Sequence, residues 1–534
     1  MEEKNKFYIT TSIAYANSVP HIGYALEVVQ ADVLARYNAL KFGKENVFFL
    51  SGTDEHGSKI KKTAAEKGME VKDFVDINAQ KFKDLLQTLN ISNNAFIRTT
   101  DEKHKAGAQK LWIKLVEAGD IYEKTYEGKY CVGCEEFLTE HDLVNGKCPY
   151  HLKEPEDISE KNYFFRVSKY LPEIKKRIES GELEILPKSR KHEILNLIDG
   201  ADKESMDVSF SRPKSVVDWG VPVPNDDEHV MYVWCDALAN YISALGYADC
   251  NEDSPLERGE GCVNFKKFWP ADVHIVGKDI LRFHAMLWPA MLLSSGLPLP
   301  KKVCVHGFIT SGGQKMSKSL GNVIDPFAVA EKYGVEPLRY YLLKEVSTTE
   351  DGDFSYERFE EVYKSDLQNG LGNLVARVLA MIEKYFDGKV PEFDEKYRDE
   401  VLVSQDIIED LQGIEEEFKC KDLDLKTLQE RALAKRPGRF ENFELDLALK
   451  DANELVGILD KYIQRYEPFK LVKENKEKTG CVLYNCLETI FVINDLIRPF
   501  LPETAKKIEG QCGKTFAVGA SVQKGEGLFP RLEE

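Results

Sequence analysis

The sequence predicts an α/β fold: a doubly wound parallel sheet, interrupted by an inserted domain and followed by an all-α helical bundle. Three observations predict it. Short β-type runs, Phe7 to Thr11 and Val47 to Leu50, alternate with apolar residues at three- and four-residue steps, the pattern of strands joined by helices. Between about Gly119 and Asn225, cysteines, prolines and short β-like runs replace that alternation. After about Asp325 the chain is almost wholly helical in pattern, to Ile508.

Taken in order, the run Phe7 to Thr11 leads into a loop containing Asn17, Ser18 and Pro20. From Gly23 to about Lys41, Leu26, Val29, Val33 and Tyr37 mark one face of a helix. Val47 to Leu50 is a short, fully apolar strand ending in Ser51-Gly52, and helices are expected from about Lys72 to Leu89 and Glu102 to Ala118. A β-loop-helix-β order places a ligand beyond the strand ends. The α/β pattern resumes at Tyr232-Val233-Trp234, then Val273 to Val276, then Val303 to Ile309. The expected limits are residues 1–118 and 226–325 for the two halves of the sheet domain and 119–225 for the insertion. Residues 326–354 form a linker region, centred on Pro337 to Asp353, and 355–534 the helical domain. Acid-rich Glu392 to Glu417 and basic Arg431 to Arg439 read as solvated surface.

Composition bounds the function. Hydrophobic residues at 43% and charged residues at 30% are the balance of a soluble globular protein. No apolar stretch is expected to reach the ~18 residues of a membrane span; the longest candidate, Met286 to Leu297, is cut by Pro289 and two serines. The charged N-terminus has no signal-peptide core, so a cytoplasmic location is expected. Most of the 11 cysteines are scattered singly, as in a reduced enzyme. A net charge of -18 counts against holding nucleic acid by bulk electrostatics; such a ligand would need a local basic face and specific base contacts.

Three segments carry chemistry. In Pro20-His21-Ile22-Gly23-Tyr24 a loop turns into a helix, whose unpaired N–H groups suit phosphate oxygens. Gly23 lets a nucleotide approach the backbone, and His21 can donate to a phosphate. In Lys315-Met316-Ser317-Lys318-Ser319, two lysines follow Ser311-Gly312-Gly313, a stretch expected to be mobile. They can close over a triphosphate and neutralise a pyrophosphate leaving group. Each motif alone also reads as an ordinary helix start and a solvated basic loop. The third segment is Cys131-Val-Gly-Cys134, thirteen residues, then Cys148-Pro-Tyr-His151, two knuckles of soft ligands that fit tetrahedral Zn2+. Four protein ligands leave no open position, so the metal is expected to be structural; His141 is an alternative ligand.

The histidine-glycine helix start and the lysine loop together resemble the signature pair of class I aminoacyl-tRNA synthetases. The fourth position of the first motif is usually a second histidine in that class, whereas this chain has Tyr24. Further segments are similar to the methionyl-tRNA synthetase family in particular: Ser12-Ile13-Ala14-Tyr15-Ala16-Asn17, Gly52-Thr53-Asp54-Glu55-His56-Gly57, Tyr232-Val233-Trp234-Cys235-Asp236-Ala237-Leu238, and Gly277-Lys278-Asp279-Ile280-Leu281-Arg282-Phe283-His284. The resemblance runs from Phe7 almost to the last residues. It implies a Rossmann-like catalytic domain, a zinc-bearing insertion and a helical anticodon-binding domain, with L-methionine, ATP with Mg2+, and tRNA(Met) as partners. Catalytic roles fall to His21, Lys315 and Lys318. With these, Gly23, Tyr24, Glu27, Gly277, Asp279 and Ile309 would form the ATP site. Ile13, Tyr15, Trp234, Leu238, Tyr241, Ile280 and His284 would surround the methionine side chain, with Asp54 on its ammonium. Asn373 and Arg377, four residues apart on one helix face, match the anticodon-reading pair, and Phe469 stands where many relatives place a stacking tryptophan. A monomer with no membrane partner is expected. The rivals are a class I synthetase for another amino acid, against which the small insertion counts, and a synthetase-like binding protein that has lost catalysis.

Overall fold

The structure, a computed structural model, describes residues 5–131, 136–138, 143–150, 152–200, 206–250, 260–316, 322–409 and 423–532. The chain divides into two compact units, Met1–His306 and Gly307–Glu534.

The first unit is built on a parallel sheet. Its N-terminal half comprises β1 (Phe7–Thr11), β2 (Ala14–Tyr15), β3 (Val47–Asp54) and β4 (Ala95–Arg98), joined through α1 (Ile22–Phe42), α2 (Ser58–Glu66) and α3 (Val71–Thr88). α4 (Glu102–Glu117) then leads to an antiparallel layer of β5 (Ile121–Cys131), β6 (Glu136–Leu138) and β7 (Glu156–Phe165). Next come α5 (Leu171–Ser180), β8 (Glu184–Leu186) and α6 (Lys188–Gly200), and then the short strands β9 (Val208–Ser209), β10 (Ser211–Pro213) and β11 (His229–Met231). The helices α7 (Val233–Leu238), α8 (Asn240–Ser243) and α9 (Glu260–Phe268) precede β12 (Val273–Gly277), α10 (Trp288–Ser294) and β13 (Lys302–His306). Among the described residues the main sheet runs β2-β3-β1-β12-β13-β8, with β4 also on β3 and every pairing parallel. The chain leaves β1 towards β3 on one side and returns as β12 on the other. The end of β1 is therefore a switch point, where doubly wound sheets leave a crevice for ligands.

α1 departs from simple amphipathicity. Thirteen of its residues are buried, Glu27, Gln30 and Asp32 among them, because it lies against β1, β3 and β12. Asp32 accepts from the Ser92 backbone and hydroxyl and pairs with Arg36, which fastens the helix to the loop after α3. Tyr232-Val233-Trp234, expected as a strand, divides differently: β11 ends at Met231 and Trp234 lies in α7. A short apolar run serves a buried helix as well as a strand, and length alone did not separate them. Cys250 and Cys262, expected among the single thiols, are disulfide-bonded with Cα atoms 4.9 Å apart.

The second unit opens with a small sheet of β14 (Ile309–Ser311), β15 (Gln314–Lys315) and β16 (Gly352–Phe354), between which lie α11 (Pro326–Tyr333) and α12 (Val335–Lys344). α12 occupies part of the stretch expected as a linker; Pro337 stands in its first turn, where no N–H is needed. Helices α13 (Tyr356–Val362), α14 (Asn373–Phe386), α15 (Gln405–Glu409), α16 (Leu425–Glu441), α17 (Leu445–Tyr466), α18 (Pro468–Leu471), α19 (Lys476–Ile497) and α20 (Pro502–Cys512) form the bundle. α19 is long and apolar enough to cross a membrane, with mean hydropathy 1.4, a length the sequence reading missed. Two thirds of that apolar stretch is buried inside the protein, where α19 packs on α14, α16 and α17 as the central helix of the bundle.

Candidate active site

The helix start at His21 is built from its own backbone. His21 is the N-cap of α1, in extended conformation, and its Nδ1 accepts from the Gly23 N–H at 3.0 Å. An N-cap side chain that accepts fixes the neutral tautomer, so the ring proton sits on Nε2. Gly23 is required by this cap, since a Cβ there would lie 2.8 Å from His21 Cε1. Tyr24 faces the other way. It is 7% exposed, meets Ser51 Oγ at 3.0 Å and sets its ring edge-on to Phe82. Burial first, and Glu27 with it, pushes its hydroxyl well above the usual phenol range against the bond from Ser51.

Glu27, one turn along α1, accepts from both the N–H and the hydroxyl of Ser12, at 2.6 and 2.7 Å. Its second oxygen lies 3.4 Å from His306 Nε2. Ser12 N in turn donates to Ile275 O, and Gly277 is paired with His306 at the ends of β12 and β13. Glu27 thus ties the residue after β1 to the end of β13, and Ser12 carries the link on to β12. Asp279 is exposed in the turn after β12.

An apolar cluster gathers most of the residues expected around a methionine side chain. Leu238 and Tyr241 belong to the main core of the unit, and Ile13, Trp234 and Ile280 pack against it. Trp234 stacks on Phe283 with ring centroids 3.8 Å apart, a partner the sequence reading did not name. His284 stands edge-on to Trp234, and its Nε2 is 2.7 Å from the Tyr241 hydroxyl. It sits in a π-helical turn, Phe283–Leu287, where the Trp288 N–H reaches back five residues to Phe283 O. Such turns insert one residue into a helix and are frequent at functional sites. His284 Nδ1 meets Ile280 O at 2.9 Å, so Nδ1 is the donor and Nε2 the acceptor from Tyr241. Burial lowers the His284 pKa to about 4, against the bond to Ile280. Below it, His274 lies between Thr10 Oγ1 at 2.7 Å and Trp288 Nε1 at 3.3 Å, and burial, with His284 next, lowers its pKa as well.

Asp54 ends β3, and its carbonyl accepts from Ala16 N as β2 pairs Tyr15 beside it. Tyr15 packs not on the main core but on a smaller cluster with Trp219. The residues around Asp54 are bolted down. Glu55 accepts from Arg98, Thr53 and Thr100 at 2.5–2.6 Å, and Arg98 also reaches Asp76. Sequence reasoning missed this network, whose single bonds span up to 45 residues with no motif between them.

The lysine segment belongs to the second unit. Gly312 and Gly313 both have positive φ, at +62° and +70°, and close the two-residue hairpin between β14 and β15. That turn needs left-handed backbone at both central positions, which explains the glycine pair. Asp353 fixes it, accepting from Gly313 N at 2.9 Å and Thr310 Oγ1 at 2.6 Å. Lys315 lies on β15, Lys318 outside the described residues, and Ile309 is buried at the start of β14. In the helical bundle, Asn373 is exposed on α14, and Arg377 one turn on pairs with Asp460 of α17 at 2.5 Å. Phe469 is 46% exposed on α18.

Of the expected zinc ligands, Cys131 and Cys148 share a small buried cluster with Leu138 and Leu143. Leu152 N donates to Cys148 O and Cys148 N to Lys153 O, a tight turn at the second knuckle. Cys134, His151 and the alternative His141 lie outside the described residues. Among the described residues no group of three metal-ligating side chains gathers.

A parallel sheet with a capped histidine-glycine helix start at its switch point, and a glycine hairpin leading into the lysine segment, is the arrangement of class I aminoacyl-tRNA synthetases. Residues 7–160 and 150–379 match the family described as tRNA synthetases class I (M). The methionine–tRNA ligase of Caldanaerobacter subterraneus subsp. tengcongensis is 43% identical over 99% of this chain and 79% of its own length, and that of Thermotoga maritima 41% over 99% and 80%. The solved Mycobacterium tuberculosis methionyl-tRNA synthetase in complex with methionyl-adenylate is 35% identical, with a TM-score of 0.86 over 98% of this chain and 100% of that one. The chain belongs to the methionyl-tRNA synthetase family, whose curated members are methionine–tRNA ligases.

Proposed function

We propose how this chain performs methionine–tRNA ligation, the reaction of its family. The methionine side chain lies among Ile13, Trp234, Leu238, Tyr241 and Ile280, with Tyr15 at the margin. Its sulfur then meets aromatic edges, a favourable contact for a polarizable thioether. Asp54 holds the ammonium through a charge-assisted hydrogen bond, which aims the carboxylate. ATP lies over the ends of β1 and β12, against Gly23, Glu27, Gly277 and Asp279, and Mg2+ would accompany its phosphates. The methionine carboxylate attacks the α-phosphorus in line and pyrophosphate leaves. His21 donates from Nε2 to the phosphate oxygens, and Lys315 and Lys318 take up the leaving charge; positioning and electrostatics carry the step. The terminal ribose 2′-hydroxyl of tRNA(Met) then attacks the activated carbonyl and AMP leaves.

Tyr24, expected at the ATP site from its motif position, we assign instead to the support beneath it, through Ser51 and Phe82. Asn373 and Arg377 read the anticodon, and Phe469 supplies a stacking face for an unpaired base. Cys131, Cys134, Cys148 and His151 would hold a structural Zn2+, a reading supported by the joint burial of the first and third. Such a metal would brace the insertion, with all four positions taken by protein ligands and none open for catalysis. The composition supports a cytoplasmic enzyme.

The observation that carries the reading is the His21 cap: Nδ1 accepts from Gly23 N, which leaves the ring proton on Nε2 of an exposed histidine at the switch point. Amino-acid-dependent ATP–pyrophosphate exchange, with all twenty amino acids and no tRNA, tests it. Exchange with methionine alone is expected. Exchange with another amino acid would keep the class and overturn the pocket; none at all would favour a protein that has lost catalysis.

A further inference from the structure

We propose that Asp236 is a positioning residue for the methionine site, setting the distance between the carboxylate that holds the ammonium and the wall that holds the side chain. This rests on the reading of Asp54, Trp234 and Leu238 given above.

Asp236 lies on α7 and is 1% exposed. One oxygen is 2.6 Å from His56 Nδ1 and the other 2.7 Å from His104 Nε2. Burial alone would raise its carboxyl, but the two imidazoles outweigh burial and hold it at about 2. An ionised carboxylate only accepts, so His56 Nδ1 and His104 Nε2 both carry protons directed at it. The group is buried and answered on both sides, the condition under which a charge inside a protein fixes geometry.

Each partner belongs to a different element. His56 follows the end of β3, two residues after Asp54. Its ring is edge-on to Trp219, whose Nε1 donates to Glu55 O at 2.6 Å and whose carbonyl accepts from Gly57 N. His104 lies on α4, and its Nδ1 meets Ser243 Oγ of α8 at 2.9 Å. α4 and α8 approach so closely there that a Cβ on Gly107 would stand 2.6 Å from Ser243 Cβ. On α7 itself, Trp234 precedes Asp236 by two residues and Leu238 follows by two. The carboxylate therefore joins the strand end carrying Asp54 to the helix carrying two pocket walls through its short bond to His56, while its bond to His104 ties the same helix to α4. Thr53 or Arg98 cannot replace it, because both act on Glu55 and neither reaches α7.

Asp236→Asn keeps the size but presents an N–H2 group to one of the two imidazole N–H groups. ATP–pyrophosphate exchange on this variant, on His56→Gln and on Asp54→Asn gives the test. A rise of tenfold or more in methionine KM for Asp236→Asn is expected, with ATP KM within twofold and kcat within threefold. His56→Gln, which leaves the His104 bond in place, should shift methionine KM in the same direction by less, and it carries the test if Asp236→Asn does not fold. A normal methionine KM in both variants, with Asp54→Asn strongly raised, overturns the positioning role while leaving the pocket intact. An equal loss in kcat with every KM unchanged overturns it too, as a general structural defect. A normal methionine KM in Asp54→Asn overturns the pocket reading itself and this proposal with it.

Discussion

The Tyr241 hydroxyl and His284 Nε2 are joined at 2.7 Å with no charge between them: burial pushes the phenol up and the imidazole down, so both remain neutral at pH 7. An uncharged polar pair suits the wall of a pocket for an apolar thioether, because neither group demands a counter-ion.

Stability should fall as acid is added in a defined window. The His284 pKa drops from 6.5 to about 4 on folding, and that of His274 moves the same way, so the unfolded chain binds more protons between these values. The stabilisation is complete above pH ~6.5 and is lost as pH falls towards ~4, on the order of 3 kcal/mol for His284 alone. Denaturant midpoints at pH 7 and pH 4.5 measure it, and His284→Gln should flatten the slope.

Gly23→Ala separates catalysis from folding. Alanine favours a helix by up to about 1 kcal/mol over glycine, but the new Cβ displaces the His21 ring from its cap. Pyrophosphate exchange should fall at least tenfold while Tm changes by no more than a few degrees. Unchanged exchange would show that the cap does not aim His21.

Arg377→Ala and Asn373→Ala should each raise tRNA(Met) KM tenfold or more in aminoacylation, and leave tRNA-independent exchange within twofold. Arg377→Ala also leaves Asp460 without the guanidinium seen at 2.5 Å. Since Asp460 is 40% exposed, its hydration limits the cost, and Tm should move little. A fall in exchange would place these residues elsewhere in the reaction.

Metal analysis of native protein should give one zinc per chain. Cys148→Ser should lose it and render the insertion sensitive to protease, with exchange retained in large part. Native protein without metal would refute the four-ligand assignment.

Local patterns were the legible part. Leu26, Val29 and Val33 marked α1, and the helices expected from about Lys72 and from Glu102 begin at Val71 and Glu102. The cap at Gly23 was foreseeable because it closes over two residues. Contacts joining distant positions were not: His56 to Asp236 spans 180 residues, and no periodicity announces it. Two local misses have local causes. Trp234 sits in an apolar run too short to declare its type, and the hairpin at Gly312-Gly313 goes unnamed because paired glycines also suit an irregular loop. Tyr24 was read by its place in a motif, while its environment, a hydroxyl partner at Ser51 and a ring at Phe82, exists only in the folded chain.

The π-helical turn at Phe283–Leu287 makes the pocket sensitive to counting as well as to chemistry. Deleting one residue there would close the turn to an ordinary helix, and the displacement that the extra residue gives Phe283 and His284 would be lost. His284 and Phe283 would leave Tyr241 and Trp234 together, even though every side chain of the pocket was still encoded. In alignments and in engineering alike, this segment should accept conservative replacements yet reject a single-codon deletion.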